Sequence, residues 1–196
     1  MIELLAALSA SASAGMRIAL PLLVIGLLQS DNLWSKVPLL SRIHPSVLIG
    51  ILTTWALFEL LASKKLLGQR VLQVIQLLFS PVVGAILGIA VAQLTETPAA
   101  FIWIIGIVGG LFAFVLQLVQ VGWFYRLRGL PLWVVFIQDV LGIALVIFAF
   151  DAPRSGGLIA LLLLWFAIRS SQQWHNWYVG GTRSRRRHRP QPEMPD

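Results

Sequence analysis

Three side chains in this sequence stand where charge is expensive: Arg17, Glu59 and Asp139 each interrupt a long apolar run. At the centre of a membrane helix an Arg or Asp costs about 2.5–3.5 kcal/mol on insertion scales, so such groups face partners or a wet cavity. Two carboxylates against one guanidinium carry a net negative charge when all are ionised. A proton or a bound cation supplies the balance, as in an intramembrane relay. Gln138, beside Asp139, is expected to line the same polar pocket. Asp139 lies several residues into its apolar run, on the order of 12 Å deep by helical rise. Glu59 lies nearer the end of its run, where a snorkelling carboxylate close to Lys64 or Lys65 is the plain alternative. The same three charges also fit a buried ion cluster that only fixes helix packing.

Other chemistries lack their residues. The chain has no cysteine, so thiolate metal sites and cysteine nucleophiles are excluded. His44, His175 and His188 fall in loops or the tail without metal-ligand spacing. There is no phosphate-cradling glycine loop with its lysine and no nucleophile elbow. An enzyme is not expected, and neither a cofactor nor a metal is called for.

The elements that must position these residues are membrane helices. Of 196 residues, 58% are hydrophobic and only 12% charged, where a soluble domain carries about 25% charged residues. The mean hydropathy is +0.83. Six apolar blocks are read as spans against the roughly 20 residues that cross hydrocarbon: 2–29, 46–62, 71–94, 99–122, 131–150 and 158–171, the last of them short, so that it must include residues near Arg169 or thin the bilayer locally. The first contains Ser9 to Arg17, rich in Ala, Ser and Gly, followed by Pro21, which predicts a tilted, kinked or broken helix. A cleaved signal segment is its rival, disfavoured by Glu3 and the want of early positive charge. The expected architecture is all-α and integral to the membrane: a helical domain over 1–171 and a basic, disordered cytosolic tail over 172–196.

Charge sets the expected orientation. With six spans, one side receives Lys64, Lys65, Arg70, Arg126, Arg128, Arg169 and the tail arginines, and the other only Lys36, Arg42 and Arg154. Positive residues concentrate in the cytosol, so both termini are expected there. Trp123, Trp133, Trp174, Trp177 and Tyr178 are placed as interface anchors, with a core position open for Trp133. The net charge of +7 and the run from Arg183 to Arg189 then read as contacts to anionic lipid headgroups rather than to nucleic acid. Gly84 with Gly88 and Gly106 with Gly110 have the spacing that lets helices approach closely, within one chain or between two copies. Gln73, Gln76, Gln117 and Gln120 are read mainly as interhelical packing.

The blocks divide into two sets of three, each with an acid in its middle helix and a proline before it, Pro45 and Pro131. Two inverted three-helix repeats, as in transporters, are expected from that pattern. The stretches Ser13-Ala-Gly15-Met-Arg17-Ile-Ala-Leu-Pro21, Glu59-Leu-Leu-Ala-Ser63-Lys64, Pro81-Val-Val-Gly84-Ala85 and Gln138-Asp139 resemble the bacterial membrane proteins called domain-of-unknown-function family 4126. The resemblance covers most of 1–170 and implies a multi-pass architecture and no activity. The chain departs from that family's pattern at Ser63, Ser80 and Gln138, where the family tends to carry ionisable groups. It also has Gln117 and Gln120 in the region where the family tends to carry a histidine. The function expected is a small transporter or channel-like protein handling a small ion or solute. The alternative is a non-catalytic scaffold for a membrane complex.

Overall fold

Small side chains decide what can occupy the centre of this protein. In the computed structural model, which describes residues 2–28, 44–62, 66–95, 97–127 and 131–187 (backbone only from 171 onward), every described element is an α-helix. They are α1 (Ile2–Ala14), α2 (Ala19–Leu28), α3 (Pro45–Ala62), α4 (Leu66–Leu94), α5 (Ala99–Leu127), α6 (Leu132–Asp151) and α7 (Pro153–Arg187). Prolines stand at or just before the starts of α3, α5, α6 and α7, where a missing N–H costs no helical bond. Among the described residues, three helical stretches are long and apolar enough to cross a membrane: Leu67–Leu94, Ala100–Arg126 and Trp133–Asp151. Helix α7 carries on to Arg187, through part of the tail that composition alone leaves without structure.

Helix α1 packs against α4, α5, α6 and α7 together. Its alanines 6, 7, 10, 12 and 14 and serines 9, 11 and 13 are all buried. A helix of Ala and Ser lets four neighbours approach where a Leu-rich one would hold them apart. Its hydroxyls do not go unpaired: Ser9 donates to the Leu145 carbonyl (2.7 Å) and Ser11 to the Gly84 carbonyl (2.9 Å). The partner surfaces are glycines. Gly88 and Gly109 lie against Ser11, Gly156 against Ser9, and Gly157 against Leu5. Helices α4 and α5 meet most intimately, and a methyl group on Gly110 would come within 2.6 Å of the Pro81 carbonyl oxygen. The small-residue faces thus serve packing within the chain.

The directions of the first two helices follow from these neighbours. Along α1, Leu5 is level with Gly157, Ser11 with Gly109, and Gly15 with Ala113 and Leu116, while Met16 after it shares a cavity with Leu163 and Ala167 of α7. Helix α1 therefore runs parallel to α5 and α7 and stops beside the middle of α5. Helix α2 then turns back. Arg17, just before it, pairs with Glu59 near the end of α3, whereas buried Ile25 clusters with Leu48 and Leu52 near the start of α3 and with Val146 and Ala149 near the end of α6. So α1 and α2 form a hairpin with both outer ends on the face of the Thr95 and Ala152 turns, and its tip in the middle of the bundle. We call this the first face. The second face holds the ends of α3 and α5 and the starts of α4 and α6.

Of the forms expected for the first block, the structure shows the broken helix, with the two pieces folded back on each other. Gly15 and the residues to Ile18 leave the helix, and Pro21 suits the first turn of a new one. The structure departs from the expected two-fold repeat: the hairpin's counterpart in the second half would be α5, an unbroken helix of 29 residues.

Candidate functional site

The hairpin tip carries Arg17. A methyl group on Gly15 would come within 2.8 Å of the Ala113 carbonyl oxygen, so only glycine lets the tip press this closely on α5. Backbone bonds from Gly15, Met16 and Arg17 back to the carbonyls of Ser11, Ala12 and Ser13 close α1. The guanidinium thus begins next to the carbonyl end of α1, which favours a cation. Its Nε lies 2.9 Å from Asp139 Oδ1 on α6, and its Nη1 lies 3.6 Å from Glu59 Oε2 on α3. The side chains of Arg17 and Glu59 are 7% and 2% exposed, so this cluster is inside the protein.

Glu59 is held at a defined angle. Its Oε1 accepts hydrogen bonds from Trp55 Nε1 (3.0 Å), one turn earlier on α3, and from Gln76 Nε2 (3.2 Å) on α4. The network continues: Gln117 Nε2 on α5 donates to Gln73 Oε1 (3.2 Å) and, more distantly, to Gln76 Oε1 (3.5 Å). Side chains from α6, the hairpin tip, α3, α4 and α5 thus form one polar line from Asp139 to Gln73. Buried acceptors remain along it. Glu59 Oε2, Asp139 Oδ1, Gln117 Oε1 and Ser80 Oγ have no hydrogen-bond partner among the described residues. The Arg17–Asp139 approach is accordingly an ion contact, with the Nε–H not aimed along it. With every group ionised the cluster carries one more negative than positive charge. It has acceptors to spare and can hold a proton or a small cation.

The structure brings together Arg17, Glu59 and Asp139 and leaves Gln138 out. Gln138 lies on another side of α6, lining a cavity of about 230 Å³ roofed by Met16 and walled by α5, α6 and α7. Sequence reasoning gave Gln73, Gln76 and Gln117 to packing and did not single out Trp55. The signal was present for some of them. Gln69, Gln73, Gln76 and Ser80 recur at helical spacing on α4, and Trp55 precedes Glu59 by one turn. Trp133 is 65% exposed, which removes its core alternative. At the second face Trp123 Nε1 donates to Ser170 Oγ (2.8 Å), and the Arg169 guanidinium sits 5.3 Å from the Trp165 ring. The expectations for Lys36, Arg42, Ser63, Lys64, Lys65, Arg128 and His188 lie outside the described residues, as do the side chains of Trp174, His175, Trp177, Tyr178 and the arginines to Arg187. Among the described residues, no cluster of three His, Asp or Glu could hold a metal ion.

A helical bundle with spanning-length apolar helices around a buried charge cluster defines a class, that of helical membrane proteins. Within it, the chain belongs to the family described as a domain of unknown function, DUF4126, which matches residues 4–173. No curated protein and no solved structure matches it.

Proposed function

We propose that this is a multi-pass membrane protein that moves a small monovalent cation, the proton included, through a site formed by Arg17, Glu59 and Asp139. The observation that carries this reading is the meeting of two carboxylates with one guanidinium at the tip of a broken helix pair, deep inside an apolar bundle. Half-helices meeting at mid-depth are a recurring way to present charge to an ion or solute. The outward surface supports hydrocarbon around the bundle: Leu61, Leu78 and Trp103 are 62%, 69% and 68% exposed, on three different helices. Exposed Thr53 and Thr54 on α3 return their hydroxyls to carbonyls of their own helix, as lipid-facing threonines must.

In this reading α3 to α7 cross the bilayer and the α1–α2 hairpin is re-entrant, entering and leaving by the first face. Irregular backbone at that depth is tolerated because Gly15 to Ile18 lie against protein. Five crossings replace the six expected from the sequence. The basic residues Arg70, Arg126 and Arg169 gather at the second face and Arg154 lies at the first, so α7 ends in the cytosol. The start of α1 then lies on the opposite side, in place of two cytosolic termini.

The test is flux. The purified full chain, reconstituted into liposomes, should dissipate an imposed H⁺, Na⁺ or K⁺ gradient. Glu59→Gln and Asp139→Asn should abolish that flux while the protein remains monodisperse. A wild type that assembles normally and passes none of these ions would leave the cluster as a packing device in a scaffold.

A further inference from the structure

The two halves of the bundle differ in kind on either side of the charged cluster. Toward the first face the interior is filled by α1 and α2. The groups there include Ala6, Ala10, Leu87, Val91, Ile25 and Val146, each at most 2% exposed, with α1 hydroxyls bonded to backbone carbonyls and a single amide, Gln93, among the described residues near the end of α4. Toward the second face neither α1 nor α2 is present, and amides take over. Below Gln76 on the same side of α4 come Gln73 and Gln69, about 4–5 Å and 10 Å further along by helical rise. All three are buried. Gln117 joins them from α5, and Gln120 and Gln138 line the neighbouring cavity.

Gln73, Gln76 and Gln117 bond one another and Glu59, and each buried acceptor left over costs about 1–3 kcal/mol in a hydrocarbon-surrounded interior. Water supplied from one face removes that cost. The fully buried Gln117 Oε1 and the nearly fully buried Glu59 Oε2 both lack a hydrogen-bond partner among the described residues. They are acceptors waiting at the inner end of such a route. The column holds no carboxylate before Glu59 among the described residues. Neutral amides give a metal cation no counter-charge along the way. Water hydrogen-bonded between them relays a proton.

We infer that Gln69, Gln73, Gln76 and Gln117 form a hydrated access column, open only to the second face, that delivers protons to Glu59, while the Ala/Ser-packed α1 seals the first face. This deepens the cation reading above and rests on it for the ligand's charge, but not for the path. At Glu59 a proton arriving by the column meets Arg17 from the hairpin, Asp139 from α6, and only amides from α4 and α5.

The absence of cysteine makes the path directly testable. Single-cysteine variants Gln69→Cys, Gln73→Cys and Ser11→Cys of the full chain, in sealed oriented vesicles, are exposed to a small membrane-impermeant thiol reagent from each side. Arg126→Cys and Asp151→Cys report the second and first faces. Gln69→Cys and Gln73→Cys should be labelled only from the side that labels Arg126→Cys, and Ser11→Cys from neither. Labelling of the column positions from the Asp151→Cys side, or from no side while Arg126→Cys reacts, overturns the column. Gln69→Cys, nearest the face, serves where Gln73→Cys does not assemble. Flux is read separately on the wild type. Ion passage with an unreactive column defeats the path alone, and a reactive column without passage of any cation defeats the transport reading alone. Passage of Na⁺ or K⁺ in preference to H⁺ defeats the assignment to protons.

Discussion

Removing the one cation of the cluster should destabilise this protein far more than removing either acid. Arg17 approaches Asp139 to 2.9 Å and Glu59 to 3.6 Å. At an effective permittivity of about 20, unit charges at such distances attract by about 5 kcal/mol per pair. That attraction offsets a desolvation cost of several kcal/mol per ion. Arg17→Met keeps most of the side-chain volume but leaves two carboxylates facing each other without their counter-charge, and breaking a buried pair in this way costs about 3–5 kcal/mol. Asp139→Asn instead leaves Arg17 and Glu59 as a balanced pair, with Glu59 still held by Trp55 and Gln76. The triple variant Arg17→Met, Glu59→Gln, Asp139→Asn carries no charge, and replacing a whole buried ion cluster by uncharged groups of similar volume is often neutral. Stability should therefore fall in the order wild type, close to Asp139→Asn and the triple variant, then Arg17→Met well below. The assay is unfolding in detergent followed by the fluorescence of the eight tryptophans. If Arg17→Met unfolds no earlier than Asp139→Asn, or the triple variant is the least stable, the guanidinium does not hold the two acids in place.

Two further outcomes follow from packing and amide bonding. A methyl group at Gly110 meets the Pro81 backbone, while at Gly142 it meets nothing within 4 Å. In the same assay Gly110→Ala should therefore cost about 1–3 kcal/mol, and Gly142→Ala should be neutral or stabilise by up to about 1 kcal/mol through helix propensity; equal effects would refute the α4–α5 contact. Gln117→Leu withdraws the donor that Gln73 and Gln76 share, at a cost of about 1–3 kcal/mol, and changing all three to Leu should recover part of that loss if the amides bond to one another.

Much of the membrane character was legible in the chain. Apolar blocks of spanning length, prolines at helix starts and the gathering of basic residues are local or compositional properties, and lipid selects for them directly. The three charged residues were legible for the same reason, since each breaks an apolar run. The glutamine line was only half visible: the helical spacing of Gln69, Gln73 and Gln76 lies in the sequence, but their meeting with Gln117 depends on how α4 is rotated against α5.

By itself the sequence determined which segments are apolar helices and which residues no hydrocarbon will accept alone, because both depend on the transfer of individual side chains out of water. Tertiary structure alone decided that α1 and α2 fold back as a hairpin and that one end of the bundle is packed with alanine while the other is lined with amides. Direction and neighbourhood are fixed by which surfaces fit: serine against glycine along α1, and a guanidinium between two acids some eighty residues apart. No window of local sequence contains both members of such a contact.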